Sequence, residues 1–167
     1  MRIKVEAKRP SECTQERLKS FIDLIVDAGE VVRTGLEARV AAAERLIFMY
    51  SDEGALIGVA AVKRPSEHHT QEVFSDAKTK AGPANYEFEI GWIVIRDDPR
   101  YRGKKLSRPL VEECMEITGK GKVFATARST NTPMIRTLNR YGFRASGRPY
   151  PTRRAGSSYA LTLFIKR

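Results

Sequence analysis

The sequence predicts a mixed α/β domain in which helices pack on the faces of a sheet. Segments with apolar residues at every second position, typical of strands, alternate along the chain with segments whose apolar residues recur every three to four positions. A length of 167 residues with 41% hydrophobic and 30% charged residues suits one globular domain over residues 1–167. No segment repeats with a period of 20–50 residues, which excludes a solenoid.

The first half of the chain predicts five elements, bounded by proline, glycine and polar turn residues. Within the first helix, Leu18, Phe21 and Ile25 recur at helical spacing. The elements are a strand around Ile3 and Val5 that stops at Pro10, a helix from Ser11 to about Ala28, a shorter helix from Leu36 to Ala43, and a β-hairpin of Arg45–Tyr50 and Ala55–Val62.

Residues 64–85 form the longest segment predicted to be irregular, because it contains Pro65, Gly82 and Pro83 among many polar residues. A short helix near Gln71–Phe74 fits within it. The adjacent histidines His68 and His69 also lie in this segment. Neighbouring histidines on an irregular segment rarely have the geometry of a metal or acid/base site, so we interpret them as an exposed polar pair.

The second half begins with the clearest strand, Tyr86–Ile95, in which Glu87 and Glu89 alternate with apolar residues. After Gly91 the alternation changes to an uninterrupted apolar run. A glycine at such a change indicates a bulge that would separate this strand from a neighbour. The elements that follow are a helix from Ser107 to Ile117, a strand at Val123–Thr126, a helix at Pro133–Tyr141, a short strand within Phe143–Ser146 and a closing strand at Tyr159–Ile165.

A basic turn connects the strand that ends at Ile95 with the helix that begins at Ser107. A turn that opens a helix directs several backbone N–H groups and the positive end of the helix dipole at one point, and a glycine there permits close approach. The turn therefore predicts a site for a phosphate-bearing ligand, although it matches neither a dinucleotide fingerprint nor a P-loop. Its candidate ligand-binding residues are Arg100, Arg102, Gly103, Lys104, Lys105, Leu106 and Ser107.

Positive charge is concentrated after residue 95. Residues 1–95 contain 13 Lys and Arg against 15 Asp and Glu, whereas residues 96–167 contain 17 against 5. This asymmetry favours an anionic partner, whether a nucleotide-type cofactor, an acidic substrate or nucleic acid.

Other classes of protein are disfavoured by what the chain lacks. Cys13 and Cys114 are 101 residues apart without neighbouring histidines, so we expect free thiols and no metal site. The longest apolar stretch is eight residues, well short of the roughly 20 that cross a bilayer. No export signal is evident at the amino terminus, and we expect a cytoplasmic protein.

Three segments together resemble the GNAT superfamily of acyl-CoA-dependent N-acyltransferases: the strand Glu89–Ile95, the turn Tyr101–Ser107, and Asn131 to Phe143. The resemblance implies a mixed, mostly antiparallel sheet flanked by about four helices and split at the central strand. It further implies that acetyl-CoA is the co-substrate. Arg102 and Gly103 fit the family's pyrophosphate-binding turn, whereas Lys105 and Ser107 stand where that turn has small residues.

The resemblance also implies roles for individual residues. Backbone groups of Ile93, Val94 and Ile95 would contact the pantetheine arm, and Asn131 would lie beside the cofactor. Asn131 is equally well explained as the N-cap of the helix that Pro133 begins.

In the implied mechanism a primary amine attacks the thioester directly, a backbone N–H near the bulge stabilises the oxyanion, and CoA leaves as the thiolate. Glu89 is our candidate general base, directly or through water, and Glu87 is the second candidate. Leu138 occupies the position where many family members have a tyrosine acid, so no general acid is assigned.

Two other functions remain open from the sequence. One is a nucleic-acid-binding or nucleic-acid-modifying protein on the same scaffold, supported by basic residues near Tyr150 and Tyr159. The other is a catalytically weak CoA-binding module, suggested by Lys105 and Leu138. The basic residues behind the first alternative are Arg144, Arg148, Arg153 and Arg154.

Overall fold

Eight strands and five α-helices are present in the computed structural model, which describes residues 1–29 and 31–167. The sheet is mostly antiparallel, which confirms the predicted fold class. The elements are β1 (Ile3–Lys8), α1 (Gln15–Asp27), α2 (Leu36–Ala41), β2 (Arg45–Ser51), β3 (Leu56–Lys63), α3 (Glu67–Ala77), β4 (Phe88–Ile95), α4 (Ser107–Thr118), β5 (Val123–Arg128), α5 (Thr132–Arg140), β6 (Arg144–Ala145), β7 (Tyr150–Pro151) and β8 (Ala160–Lys166).

The chain divides into two compact units, and each is described by itself. The first unit comprises Met1–Lys63 and Ile90–Ile117, and the second comprises Arg64–Glu89 and Thr118–Arg167. Strand β4 contributes its first two residues to the second unit and its last six to the first. The prediction of a single domain over residues 1–167 stays a prediction.

In the first unit the strand order is β1-β2-β3-β4. Strands β1, β2 and β3 pair antiparallel, with Val5 opposite Met49 and Phe48 opposite Val59. The amphipathic helix α1 packs its apolar face on this sheet, where the Phe21 ring meets Phe48 edge-on at 5.6 Å between centroids. The buried residues of this core are Phe21, Leu24, Ile25, Leu36, Val40, Ala43, Leu46, Phe48, Val59 and Ala61.

In the second unit the start of β4 pairs parallel with β5, through Phe88 opposite Val123 and Glu89 opposite Phe124. The other pairings of this unit are antiparallel: β8 pairs with β5, β6 and β7. Helix α3 buries one face against this sheet. The buried residues of the resulting core are Val73, Phe74, Ala77, Tyr86, Phe124, Tyr150, Leu163 and Ile165.

Two elements differ from the sequence expectations. Helix α3 covers Glu67–Ala77, so much of the segment expected to be irregular is helical, and α3 raises the helix number from the expected four or so to five. Strand β7 is two residues long, too short to produce a recognisable pattern. Among the residues that the structure describes, none of the helices combines the length and apolar character that crossing a bilayer requires.

Candidate active site

The backbone irregularity predicted at Gly91 is centred one residue later. Trp92 has a left-handed conformation with φ of 49°, which is uncommon for a residue with a bulky side chain. Its ring meets Phe21 edge-on at 6.0 Å, and the Lys63 Nζ lies 4.1 Å from its ring centroid. A Cβ at position 91 would lie 2.9 Å from the same Nζ, so the glycine leaves room for the Lys63 side chain.

The three residues after Trp92 are the predicted pantetheine contacts Ile93, Val94 and Ile95, and all three are half-buried. Gly58 of β3 permits the close approach of this part of β4, because a Cβ there would lie 2.9 Å from Ile95 Cδ1 and 3.2 Å from the Val94 carbonyl oxygen. The strand is thereby held against β3 while its side chains keep partial exposure.

The predicted anion-binding turn contains two left-handed residues, Gly103 with φ of 72° and Lys105 with φ of 57°. The Tyr101 N–H donates to the Asp98 carbonyl at 2.9 Å, and the buried Tyr101 and Leu106 side chains anchor both ends of the turn. Within the described part of the chain, the amides of Gly103, Lys105 and Leu106 donate no hydrogen bond. The turn therefore has backbone donors available for an anion at the start of α4.

The arginines of this turn are paired with neighbouring carboxylates, which sequence analysis did not anticipate. Arg100 Nη2 lies 2.8 Å from Asp98 Oδ2, and Arg102 Nη2 lies 2.7 Å from Asp97 Oδ1. Hydrogen bonds from Arg100 lower the pKa of Asp98 to about 2. The Arg102–Asp97 pair is exposed on both sides, and such pairs are weak, so a ligand phosphate could replace Asp97 at small cost.

Glu89, the first candidate base, is buried at the start of β4. Its side chain is 8% exposed, and its Oε2 lies 3.0 Å from Nε2 of His69 on α3, whose side chain is 49% exposed. The Ser66 side chain caps α3 by accepting the His69 N–H at 3.1 Å, which fixes the first turn of the helix. His68 and His69 are both exposed, as expected, but the contact between His69 and Glu89 was not anticipated from the sequence.

Glu87, the second candidate base, precedes β4 and has a different environment. Its side chain is 58% exposed and its Oε1 lies 2.5 Å from Arg64 Nη1. The Arg64 guanidinium also lies 4.8 Å from the Phe88 ring centroid. The two carboxylates thus differ in burial and in partner, although they are two residues apart.

Helix α5 gives Asn131 the structural role that sequence analysis left open. Its Oδ1 accepts the Met134 N–H at 3.2 Å, so Asn131 is the N-cap of α5, and its side-chain NH₂ is the group that could still donate to a ligand. Leu138 is 1% exposed, as expected of a core residue.

Tyr150 carries a buried polar atom that the sequence did not indicate. Its ring belongs to the core of the second unit, and its Oη is buried without a hydrogen-bond partner among the described residues. Burial, together with the charges of Glu89 and Asp76, raises the pKa of this phenol. Tyr150 is therefore neutral at physiological pH.

Two of the four arginines that support the nucleic-acid alternative are engaged within the second unit. Arg153 Nε lies 2.8 Å from Asp76 Oδ2 and 2.9 Å from Glu72 Oε1 on α3. Arg144 Nη1 donates to the backbone carbonyls of Asn139 and Phe143, both at 2.8 Å. Arg144 and Arg153 are therefore held by contacts within the second unit.

The first unit also has an open cleft of about 670 Å³ beside β1 and the start of α1. It includes none of the predicted site residues. The cleft is lined by Arg2, Ile3, Lys4, Glu6, Arg17, Tyr50, Ser51, Asp52 and Gly54.

Comparison with known proteins identifies the family of the chain. A sequence model described as the acetyltransferase (GNAT) family matches residues 12–143. No curated protein shows significant sequence similarity to the chain.

Solved structures share its fold at low sequence identity. An acyl-CoA N-acyltransferase from Pseudomonas aeruginosa has a TM-score of 0.70 at 16% identity, covering 99% of this chain and 100% of that one. NAA60 of Arabidopsis thaliana, in complex with acetyl-CoA, has a TM-score of 0.69 at 17% identity, covering 98% and 97%. The yncA protein of Salmonella typhimurium, with its cofactor acetyl-CoA, has a TM-score of 0.64 at 16% identity, covering 100% and 94%.

Proposed function

The chain belongs to the acetyltransferase (GNAT) family, and on this premise we propose that it transfers an acetyl group from acetyl-CoA directly to a primary amine. Membership of the family makes it an acetyltransferase. Two proteins with the same fold were solved with acetyl-CoA, which supports this donor. We also propose that the enzyme is cytoplasmic.

The turn before α4 carries the proposal. Within the described chain, the backbone N–H groups of Gly103, Lys105 and Leu106 donate no hydrogen bond. These groups fit an anion such as a pyrophosphate, since left-handed residues at 103 and 105 turn the backbone at the start of α4 and leave these three N–H groups available. Lys104, Lys105 and Ser107, with Arg100 and Arg102 after exchange of their carboxylate partners, would add charge and hydrogen bonds. Ile93, Val94 and Ile95 would contact the pantetheine arm, and the Asn131 NH₂ group would donate to the cofactor.

When bound, acetyl-CoA supplies an activated acyl carbonyl and a thiolate leaving group. The residues of the chain must remove a proton from the acceptor, because an alkyl ammonium with a pKa near ~10.4 is not nucleophilic at neutral pH. We assign this task to Glu89. Its Oε2 lies 3.0 Å from His69 Nε2, which holds the carboxylate in position at the start of β4.

Gly103→Ala tests the turn. A Cβ at Gly103 meets nothing within 4 Å, so the substitution adds a methyl group on the open side of the turn, where a ligand would approach, and otherwise only left-handed strain. We expect the Kd for acetyl-CoA, measured by calorimetry, to rise at least about tenfold, which corresponds to about 1.4 kcal/mol.

Gly54→Ala is the matched control for this experiment. Gly54 also has positive φ and open space around a Cβ, but it lies in the turn between β2 and β3. Its loss of stability should resemble that of Gly103→Ala while its Kd stays that of the wild type. Equal Kd values for all three proteins would reject the turn as the pyrophosphate site.

Glu89→Gln tests the base. General base catalysis contributes about 10²- to 10⁴-fold, so we expect kcat to fall by that order with the Kd for acetyl-CoA unchanged. The decline of activity toward acid, which reports protonation of the base, should disappear in the variant. Comparison with Glu87→Gln identifies the base: should only Glu87→Gln lose turnover, the assignment passes to Glu87.

A further inference from the structure

The pair formed by Glu89 and His69 connects a buried carboxylate to solvent. The Glu89 side chain is 8% exposed and the His69 side chain 49% exposed, with 3.0 Å between Oε2 and Nε2. A carboxyl group that takes a proton from each acceptor must return it to water before the next turnover. Burial restricts that return for Glu89, and the His69 imidazole is a titratable group in hydrogen-bond contact with it.

We propose that His69 is a proton-relay and positioning residue that acts through Glu89. This inference rests on the proposed function. The acceptor ammonium loses a proton as an O–H bond forms on Glu89. That O–H bond then breaks as an N–H bond forms on His69 Nε2, which leaves a carboxylate and an imidazolium. The imidazolium loses one proton to water and returns to the neutral form, so the net transfer is from the ammonium to solvent.

The surroundings of the pair support this role for His69. Helix α3 is fixed at its start by the Ser66 cap and on its exposed side by Arg153, so the imidazole is held by the helix rather than by a mobile loop. The His69 ring lies 6.5 Å from the Phe124 ring of β5, which places an apolar wall beside the relay.

Four further titratable groups of the second unit are poor proton acceptors from Glu89. Tyr150 of β7 is close enough for the charge of Glu89 to raise its pKa, so it stays protonated. Glu87, at the approach to β4, is paired with Arg64. On α3 itself, Glu72 and Asp76 are bound to Arg153.

The chain provides a control next to the relay. His68 precedes His69, has an 88% exposed side chain and pairs with Glu72 at 3.2 Å rather than with Glu89. A substitution at His68 therefore changes a histidine of the same helical turn without touching the relay.

The test uses His69→Gln, His69→Ala and His68→Gln in the full-length protein. Glutamine at 69 can still donate to Glu89 but cannot carry a proton, so it separates positioning from relay. We expect kcat to fall about 10- to 100-fold in both His69 variants, with KM for acetyl-CoA unchanged and His68→Gln like the wild type. Added imidazole should restore part of the kcat of His69→Ala but none of the kcat of Glu89→Gln.

A measurement without turnover accompanies the kinetics. In ¹H–¹⁵N spectra of the free protein, Glu89→Gln should shift the ring nitrogen signals of His69 and leave those of His68 unchanged. The relay is overturned if His69→Gln keeps wild-type kcat, if imidazole restores nothing to a folded His69→Ala, or if only the His68 signals respond. Failure of the wild type to bind acetyl-CoA would instead reject the proposed function, while the spectra would still test the pair.

Discussion

The buried hydroxyl of Tyr150 lowers the stability of the fold, and the packing of the tyrosine ring must offset this loss. An unsatisfied buried polar group destabilises a protein by about 1–3 kcal/mol, and Tyr150 Oη has no partner among the described residues. The aromatic ring that carries this hydroxyl packs in the same core as Phe124 and Tyr86. Removing only the hydroxyl keeps that packing.

Tyr150→Phe should therefore raise the free energy of unfolding by about 1 kcal/mol, measured by urea denaturation at neutral pH. Tyr86→Phe is the control, because Tyr86 belongs to the same core but its oxygen is not among the buried atoms without partners. No gain is expected there. A loss of stability in Tyr150→Phe would mean that the hydroxyl makes a favourable interaction.

The same variant has a predicted pH dependence. The folded state raises the pKa of Tyr150, so the folded state prefers the protonated phenol. The stability linked to this group is complete below the unfolded pKa of about 10 and is lost as pH rises above it. The difference in free energy of unfolding between Tyr150→Phe and the wild type should consequently grow as the pH rises from about 9 to 11, a range that brackets the unfolded pKa.

The local backbone roles of candidate residues were predictable where a sequence pattern determines them. The basic strand-to-helix turn indicated a turn glycine at Gly103, and the position before Pro133 indicated an N-cap at Asn131. The contact between His69 and Glu89 joins residues 20 apart on two elements, so no local pattern reveals it. Asp97 and Asp98 were visible in the sequence, but their pairing with Arg102 and Arg100 depends on the folded turn.

At the scale of elements, α3 shows why a helix can be predicted too short. Its buried face consists of Thr70, Val73, Phe74 and Ala77, which have the spacing of an amphipathic helix. Thr70 and Ala77 are weak hydrophobic signals, and prolines flank the segment. The longer elements were predicted to within a few residues, because their apolar faces use large side chains.

The segment between β6 and β7 makes a close backbone approach to the end of α3. The Arg148 N–H donates to the Ala77 carbonyl at 2.6 Å, and Gly147, with φ of 76°, has no room for a Cβ beside that carbonyl. Gly156 has nearly the same φ of 75° but open space around it. The two glycines thus separate conformational strain from steric overlap.

Gly147→Ala should lower the free energy of unfolding by about 3 kcal/mol, since overlap with a backbone carbonyl adds to the left-handed strain of about 1–2 kcal/mol. Gly156→Ala should lose only the strain. Both values can be measured by urea denaturation. Equal losses would show that the approach of residue 147 to α3 contributes nothing beyond backbone conformation.

For the whole molecule, the buried thiol of Cys114 can report unfolding. Cys114 is fully buried on α4, and burial raises its pKa, so the reactive thiolate is suppressed in the folded protein. Cys13 is half-buried and also has a raised pKa, which burial again explains. Both thiols are free.

In a Cys13→Ser variant, labelling of Cys114 by a thiol reagent should proceed through unfolding. Acetyl-CoA at 100 times its Kd stabilises the native state by about 2.7 kcal/mol, which should slow labelling about 100-fold where refolding outpaces reaction. The rate is measured by mass spectrometry with and without the cofactor. A labelling rate that is the same with and without acetyl-CoA would indicate that Cys114 becomes accessible by a local opening.

The left-handed Trp92 has a consequence for how this sequence can diverge. Side chains alternate between the two sides of a strand, and an irregular residue restarts that alternation. The positions that face each side of the sheet are therefore set separately before and after Trp92, so a substitution in one part of β4 does not constrain the other part.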